Sequence, residues 1–421
     1  MTGLSNIPHA ALAAASIGAA AVLMYKYRRN ALLAYRRRKH RAPKLILHFD
    51  VNETIMIGDP AGGDTFEASL NKAICKSAFV KLVSGGPVCE VLSATTTADL
   101  LWWDGTPLEA GYSVSQCKPP PLYTKWEWPQ GCAPFYKIGA LKKHAKKFTE
   151  VGSPGQVYRP LYEQLERALR LPSSLDKVDP RISHDGLHFF LLPAFFATMY
   201  ELYAAGRDFA IVVRTFGTDG PNVAHAMSAW AEDNAHPGVP AVPSLGIDPA
   251  CAVWRGRYDK DGTISFRSEP VAGGRAHSLN EQEALCMMEA LDAPSSRPRG
   301  CVCADDYSWW KEHAYLPSAG KPLWLTLDNA STHHIFFDDN IHNDPSDSIV
   351  AVRMRATSQE PFLPQSGEAT CRLQGIFLVR VPTVEPILNP FWFLERIAEC
   401  EKARASAFHT TTDQHVVLGA R

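Results

Sequence analysis

No CxxC pair occurs anywhere in the chain, and of its ten cysteines only Cys301 and Cys303 stand close together. That excludes a zinc ribbon and a disulfide-dense scaffold, and the scattered thiols read as reduced groups of a cytosolic-type compartment. GxSxG, GxxxxGK[ST] and GxGxxG are also missing, which disfavours hydrolase elbows, P-loops and dinucleotide sites. There is no internal repeat. Charged residues make up only 21% of the chain and apolar residues 46%, the balance of an ordinary globular protein. The net charge of -1 hides an asymmetry: residues 1–49 hold nine Lys or Arg and no acid, while the remainder carries 34 basic and 44 acidic residues. An acidic body of this kind is no polyanion binder, and no nucleic-acid partner is expected.

A long apolar run is lacking too. The best candidate, HAALAAASIGAAAVLMY at 9–25, offers about 16 weakly apolar residues, short of the roughly 20 that usually span a bilayer. It has no positive charge before it, unlike a secretory signal, and the basic stretches KYRR and RRRKHR follow it. These flanks predict a transmembrane anchor that leaves the globular domain in the cytosol, as at a mitochondrial or plastid outer membrane. The same acid-free, Arg-rich stretch also fits a cleavable transit peptide to the mitochondrial matrix, or a basic tail.

Beyond that segment, apolar runs alternate with helical patterns. Lys44-Leu-Ile-Leu-His-Phe49 reads as a strand, residues 65–80 as a helix, and 84–156 as irregular around the run Pro119 to Pro121. VYRPLYEQLERALRL and LPAFFATMYELYAAG read as helices, the second stopping at Gly206 before the buried strand Phe209 to Val213. A hairpin is predicted over 252–267, a capping box at Ser278 and Glu281, further strands in HHIFF, SIVAVRM and GIFLVRV, and a closing helix in PFWFLERIAECEKAR. Helix, tight turn and continuous apolar strand are the ingredients of a parallel α/β sheet.

Three apolar strands end in polar groups: Asp50 with Asn52, Thr215, and Asp338 with Asp339. In an open parallel sheet, ligands bind outside the carboxyl ends of the strands, so neighbouring strands would bring these groups to one crevice. With LILHFDVNET, AIVVRT, a Lys before the last strand and HIFFDD in that order, the chain resembles the haloacid dehalogenase-like superfamily. The likeness covers the framework strands and helices, not residues 1–44 or most of 60–190.

The resemblance implies a Rossmann-like parallel core at 45–60 and 190–400, with room for a second insertion within 240–300. It implies a cap at 61–189, between the first two motif strands, leaving 1–44 as the anchor or targeting segment and 401–421 as a tail. It further implies a Mg²⁺-dependent phosphohydrolase acting on a phosphorylated small molecule through an aspartyl-phosphate. Asp50 would be the nucleophile and a metal ligand, Asp338 and Asp339 further ligands, and the backbone carbonyl of Asn52 the last of the protein's share. Thr215 would bond a phosphate oxygen. Lys321, in the Gly-Pro loop SAGKPLWL, would neutralise charge, with mid-helix Lys311 in WWKEHA as the alternative. Asn52 departs from the family, whose phosphatases usually carry an acid–base Asp there; an amide can neither protonate a leaving group nor activate water. The alternative is therefore a catalytically inactive relative that binds or scaffolds through the same crevice.

Other residues have bland and functional readings side by side. Trp102, Trp103, Trp126 and Trp128 could stack on a substrate, though aromatics serve cores first. His184, Asp185, His333 and His334 could ligate or titrate, but ordinary core or surface roles are commoner. Asp305 and Asp306 read as the start of a helix.

Overall fold

The structure is a computed structural model that describes residues 42–58, 63–108, 119–173, 175, 177–248, 253–268, 276–291 and 299–409. Its central sheet has eight strands in the order Leu378–Arg380, Thr332–Asp338, Lys44–Asp50, Phe209–Thr215, Gly300–Ala304, Val253–Tyr258, Ile264–Ser268 and Ser278–Leu279. The first six run parallel and the last two pair antiparallel. The Lys44–Asp50 strand is the middle of the parallel part because it is buried along nearly its whole length, as a strand covered on both faces must be. Leu47 pairs with Ile335 on one side and Ile211 on the other. From this first strand the chain builds outward in both directions, which puts a topological switch at its carboxyl end.

The two faces of the sheet are filled differently. Phe49 stacks on Phe337 and meets Phe195 and Phe393 edge-on, so helices Pro193–Ala204 and Trp392–His409 cover that face. His48, one residue earlier, points to the other face and stacks on Phe336. Phe336 belongs to a cluster with Leu323 and Val352, residues of a smaller sheet of Lys321–Thr326, Val350–Arg355 and Leu363–Pro364. Beneath it, Arg214 is fully buried and makes a two-pronged ion pair with Asp305, at 3.0 and 2.6 Å, while giving a third bond to the carbonyl of Pro322.

Many residues between the first two motif strands build a second hydrophobic cluster, which Val384 and Ile387 join from the C-terminal part of the chain. Leu70, Ile74, Val80, Trp102, Phe135, Phe148 and Leu165 are buried together, beside a three-stranded sheet of Phe79–Leu82, Leu100–Trp102 and Ala133–Pro134. This region is more ordered than expected from its prolines: a helix at Val88–Leu92 and a 3-10 stretch at Gly139–Lys147 lie within it. Two further expectations change. The capping box is made by Asn280 and Glu283, because Ser278 and Leu279 are the edge strand. The closing helix continues to His409, into the expected tail. The expected hairpin is present at Val253–Tyr258 and Ile264–Ser268, and it extends the central sheet.

The transmembrane expectation is corrected: no helix among the described residues is long and apolar enough to cross a membrane. The stretch 9–25 that prompted it lies outside the described residues.

The turn after helix Gly220–Asp233 predicts a pH dependence. His236 is buried, its Nδ1 accepts the N–H groups of Gly238 and Val239 at 3.1 Å each, and its Nε2 is buried without a partner among the described residues. Burial holds its pKa down at about 4, against 6.5 ordinarily. The unfolded chain therefore binds this proton more readily between those values, and stability is lost as pH falls from 6.5 towards 4. The loss from this residue reaches about 3 kcal/mol. His236→Asn keeps an acceptor and removes the titration, so thermal unfolding across that pH range should show a shallower decline than in the unaltered protein.

Candidate functional site

Parallel strands present their carboxyl ends on one edge, so Asp50, Thr215 and Asp338 arrive together from three neighbouring strands. Asp50, Asp338 and Asp339 are all buried, and one oxygen from each lies within 4.8 Å of the others. Lys321 stands between two of them. Its Nζ donates to Asp50 Oδ1 at 2.5 Å and to Asp338 Oδ2 at 2.8 Å. It opens a strand of the smaller sheet instead of lying in a loop, and Gly320 before it is needed for close approach: a Cβ there would sit 2.0 Å from the carbonyl oxygen of Ile349. Lys311, the other candidate, is exposed on the short helix Tyr307–Glu312 and takes no part.

The loop after Asp50 is wound into a tight turn. The N–H groups of Ile55 and Met56 both point to the Val51 carbonyl, at 3.1 and 3.0 Å, and Glu53 adopts a left-handed φ of 60°. This winding brings Thr54 back over Asp50. Thr54 Oγ1 donates to Asp50 Oδ2 at 3.0 Å and accepts from the Asp339 N–H at 3.1 Å. The Glu53 carboxylate is buried between Lys72, at 2.7 Å, and Lys76, and Lys76 also binds Asp339 at 2.7 Å. Helix Phe66–Ser77 is thus fastened to the site by two lysines one turn apart.

Charge and burial oppose each other here. Burial and then the neighbouring Asp338 push the Asp50 carboxyl well above its ordinary range, against the pull of Lys321. Burial also raises Asp339, which Lys76 resists and Glu53 and Asp338 assist, to about 6. Burial disfavours the Lys321 ammonium, but Asp338 and Asp50 outweigh it and raise its pKa. A buried, oxygen-only cluster carrying more negative charge than its lysines offset suits a hard divalent cation. The residues therefore fit the implied Mg²⁺: Asp50, Asp338 and Asp339 would hold it, with the carbonyl of Asn52.

Asn52 and Thr215 meet around Gly217. The point a Gly217 Cβ would occupy is 2.8 Å from Asp219 Oδ2, 3.4 Å from Thr215 Oγ1 and 3.8 Å from Asn52 Nδ2. Thr215 Oγ1 accepts the Gly217 N–H at 2.8 Å, and Asn52 Nδ2 donates to Asp219 at 3.4 Å.

The remaining candidates fall elsewhere. His333 is buried with Nε2 on the Ile376 carbonyl at 2.8 Å, and burial lowers its pKa to about 3. His334 joins His48 at 3.0 Å, beneath the sheet edge. His184 stacks on Phe190, while Asp185 holds His188 at 2.7 Å in a loop. Trp102 is core, Trp103 bonds the Pro121 carbonyl, Trp128 sits against Phe79, and Trp126 shares a cluster with Phe216 and Trp310. Asp306 does cap its helix, but Asp305 is spent on Arg214. Glu53, Lys76 and Asp219 join the site without a motif of their own, whereas Thr54 closes the run LILHFDVNET. Thr54 sits at the alternating position after Asn52, a usable signal; Lys76 and Asp219 come from elements with no local mark of chemistry.

The two lysines can be told apart by stability. Lys321→Met leaves buried carboxylates facing each other and should destabilise by about 3–5 kcal/mol in denaturant unfolding. Lys311→Met on the surface should stay within about 0.5 kcal/mol. A divalent cation at 100 times its dissociation constant should stabilise the protein by about 2.7 kcal/mol. Thermal shift should show that gain abolished in Asp338→Asn.

No family model, curated protein or solved structure matches the chain.

Proposed function

We propose that the protein is a Mg²⁺-dependent phosphohydrolase of the haloacid dehalogenase type, acting through an aspartyl-phosphate on Asp50. The observation that carries this reading is the convergence on one sheet edge of Asp50, Thr215, Lys321 and the Asp338–Asp339 pair, from four separate stretches of chain. Supporting it, the Asp50 strand is flanked by those of Asp338 and Thr215 at a topological switch. The cluster built mostly by residues between the first two motif strands, joined by Val384 and Ile387, supports a cap that would exclude water from the crevice.

The chemistry follows from the residues. Thr54 and Lys321 hold the two oxygens of Asp50, so the carboxylate is oriented before substrate arrives. Lys321 offsets the negative charge that gathers as a phosphoryl group approaches two carboxylates. Thr215 Oγ1 supplies a hydrogen bond to a phosphoryl oxygen. A bound divalent cation would neutralise further charge on the phosphoryl group. Attack by Asp50 expels the leaving group, and water then releases phosphate from the acyl phosphate. Asn52 has no proton to give, so the best substrates lose a stable anion: acyl phosphates, phosphoanhydrides or aryl phosphates.

The same amide favours the rival reading, a crevice that binds without turnover. Full-length protein with Mg²⁺ and a panel of those three phosphoryl donors, beside Asp50→Asn, decides between them. Phosphate release falling to background in Asp50→Asn is the expected result. Release that survives the substitution, or no turnover of any donor, overturns the proposal.

A further inference from the structure

Asn52 is the point at which the site departs from its family, and its surroundings are unusual. Its amide nitrogen donates to Asp219 Oδ2 at 3.4 Å, while its carbonyl oxygen Oδ1 is buried with no hydrogen-bond partner among the described residues. The two ends of an amide look alike to packing, but a carboxylate has only acceptor oxygens to offer. Asp219 therefore accepts the N–H₂ end and fixes Oδ1 as the end left over. Asp219 is itself held: it is 5% exposed and precedes helix Gly220–Asp233, close to Thr215 across the gap that Gly217 leaves open. A side chain on Gly217 would collide with the Asp219 carboxylate at 2.8 Å.

A buried acceptor without a partner is costly enough that native structures rarely keep one, so Oδ1 calls for a donor brought in by the reaction. Phosphoryl oxygens are acceptors and cannot fill that role. Water can. We infer that Asp219 positions the Asn52 amide so that its Oδ1 orients the water attacking phosphorylated Asp50, with no protein base taking the proton. The inference rests on the phosphohydrolase reading. In this step the water oxygen bonds phosphorus and the bond from phosphorus to Asp50 breaks. Its electron pair returns to the Asp50 carboxylate, and the water proton passes to an oxygen of the departing phosphate. Orientation without deprotonation makes this second step the slow one, so phosphorylated Asp50 accumulates during turnover.

Rapid mixing of full-length protein and Mg²⁺ with acetyl phosphate or an aryl phosphate tests this directly. A burst of about one equivalent is expected, with one phosphoryl group found on Asp50 by mass spectrometry. Asp219→Asn can present either end to Asn52, so it should leave the burst rate unchanged and slow dephosphorylation by about 5- to 10-fold, the worth of one oriented hydrogen bond. Asn52→Ala should do the same, and the double variant should be no slower than either single one, since both act through one contact. In the Asp219→Asn background, Asn52→Asp restores a base without setting two carboxylates against each other. Dephosphorylation should then rise by about 100-fold or more.

Equal slowing of both steps, no effect of Asp219→Asn on a well-folded protein, or additive effects of the two substitutions overturns the inference. An Asp50 that never acquires a phosphoryl group overturns the underlying reading as well. A labelled Asp50 whose release ignores Asp219 removes this inference alone. Should Asp219→Asn unfold, Asn52→Ala carries the same comparison without touching the helix terminus.

Discussion

One buried ammonium group organises the centre of this molecule. Lys321 Nζ lies against the carboxylates of both Asp50 and Asp338, which belong to adjacent parallel strands. Two such carboxylates buried side by side repel each other in a medium that screens poorly. Lys321 is delivered by a different sheet, packed over one face of the central one, and so the charge balance of the strand ends depends on how the two sheets sit. Within that smaller sheet, Gly320 passes so close to the Ile349 carbonyl that a side chain has no room there, which keeps the start of the Lys321 strand against its neighbour.

The same face carries a second buried charge below the first. Arg214 pairs with Asp305, which immediately follows the neighbouring strand Gly300–Ala304, and the guanidinium also donates to the Pro322 carbonyl, next to Lys321. A chain of polar contacts continues from Arg214 through His48 and His334 to Glu289. Burial lowers His48 further below its ordinary pKa, helped by His334 and Arg214, so it is kept neutral and tolerates the nearby guanidinium. Polar groups therefore line one side of the Asp50 strand while aromatic rings fill the other. The alternation of His48 and Phe49 along that strand is the origin of this asymmetry.

Much of this was legible from local pattern. The runs KLILHFD, FAIVVRT and THHIFFD are strands because continuous apolar stretches bounded by polar ends have few other uses. Their polar ends, at the carboxyl side of strands in one parallel sheet, were enough to anticipate that Asp50, Thr215 and Asp338 meet. Signals that depend on exact neighbours were less legible. Ser278 and Glu281 have the spacing of a capping box, yet Asn280 and Glu283 form it, since edge pairing claimed the first two residues. The proline-rich region looked irregular because its elements are short and held by a shared core of distant residues.

By itself the sequence determined the three strands KLILHFD, FAIVVRT and THHIFFD, their polar termini and the candidate residues at positions 50, 52, 215, 338 and 339. These follow from residue type and spacing, which act within one strand or one turn. Only the tertiary structure decided that Lys321 and not Lys311 enters the site, that Lys76 reaches Asp339, and that Asp219 faces Asn52. Those pairings join residues 17 to 271 positions apart, and they are set by which strands neighbour each other and which sheet covers which face. No local pattern carries that information, because the Coulomb attraction between a lysine and a carboxylate depends on their distance in space and not along the chain.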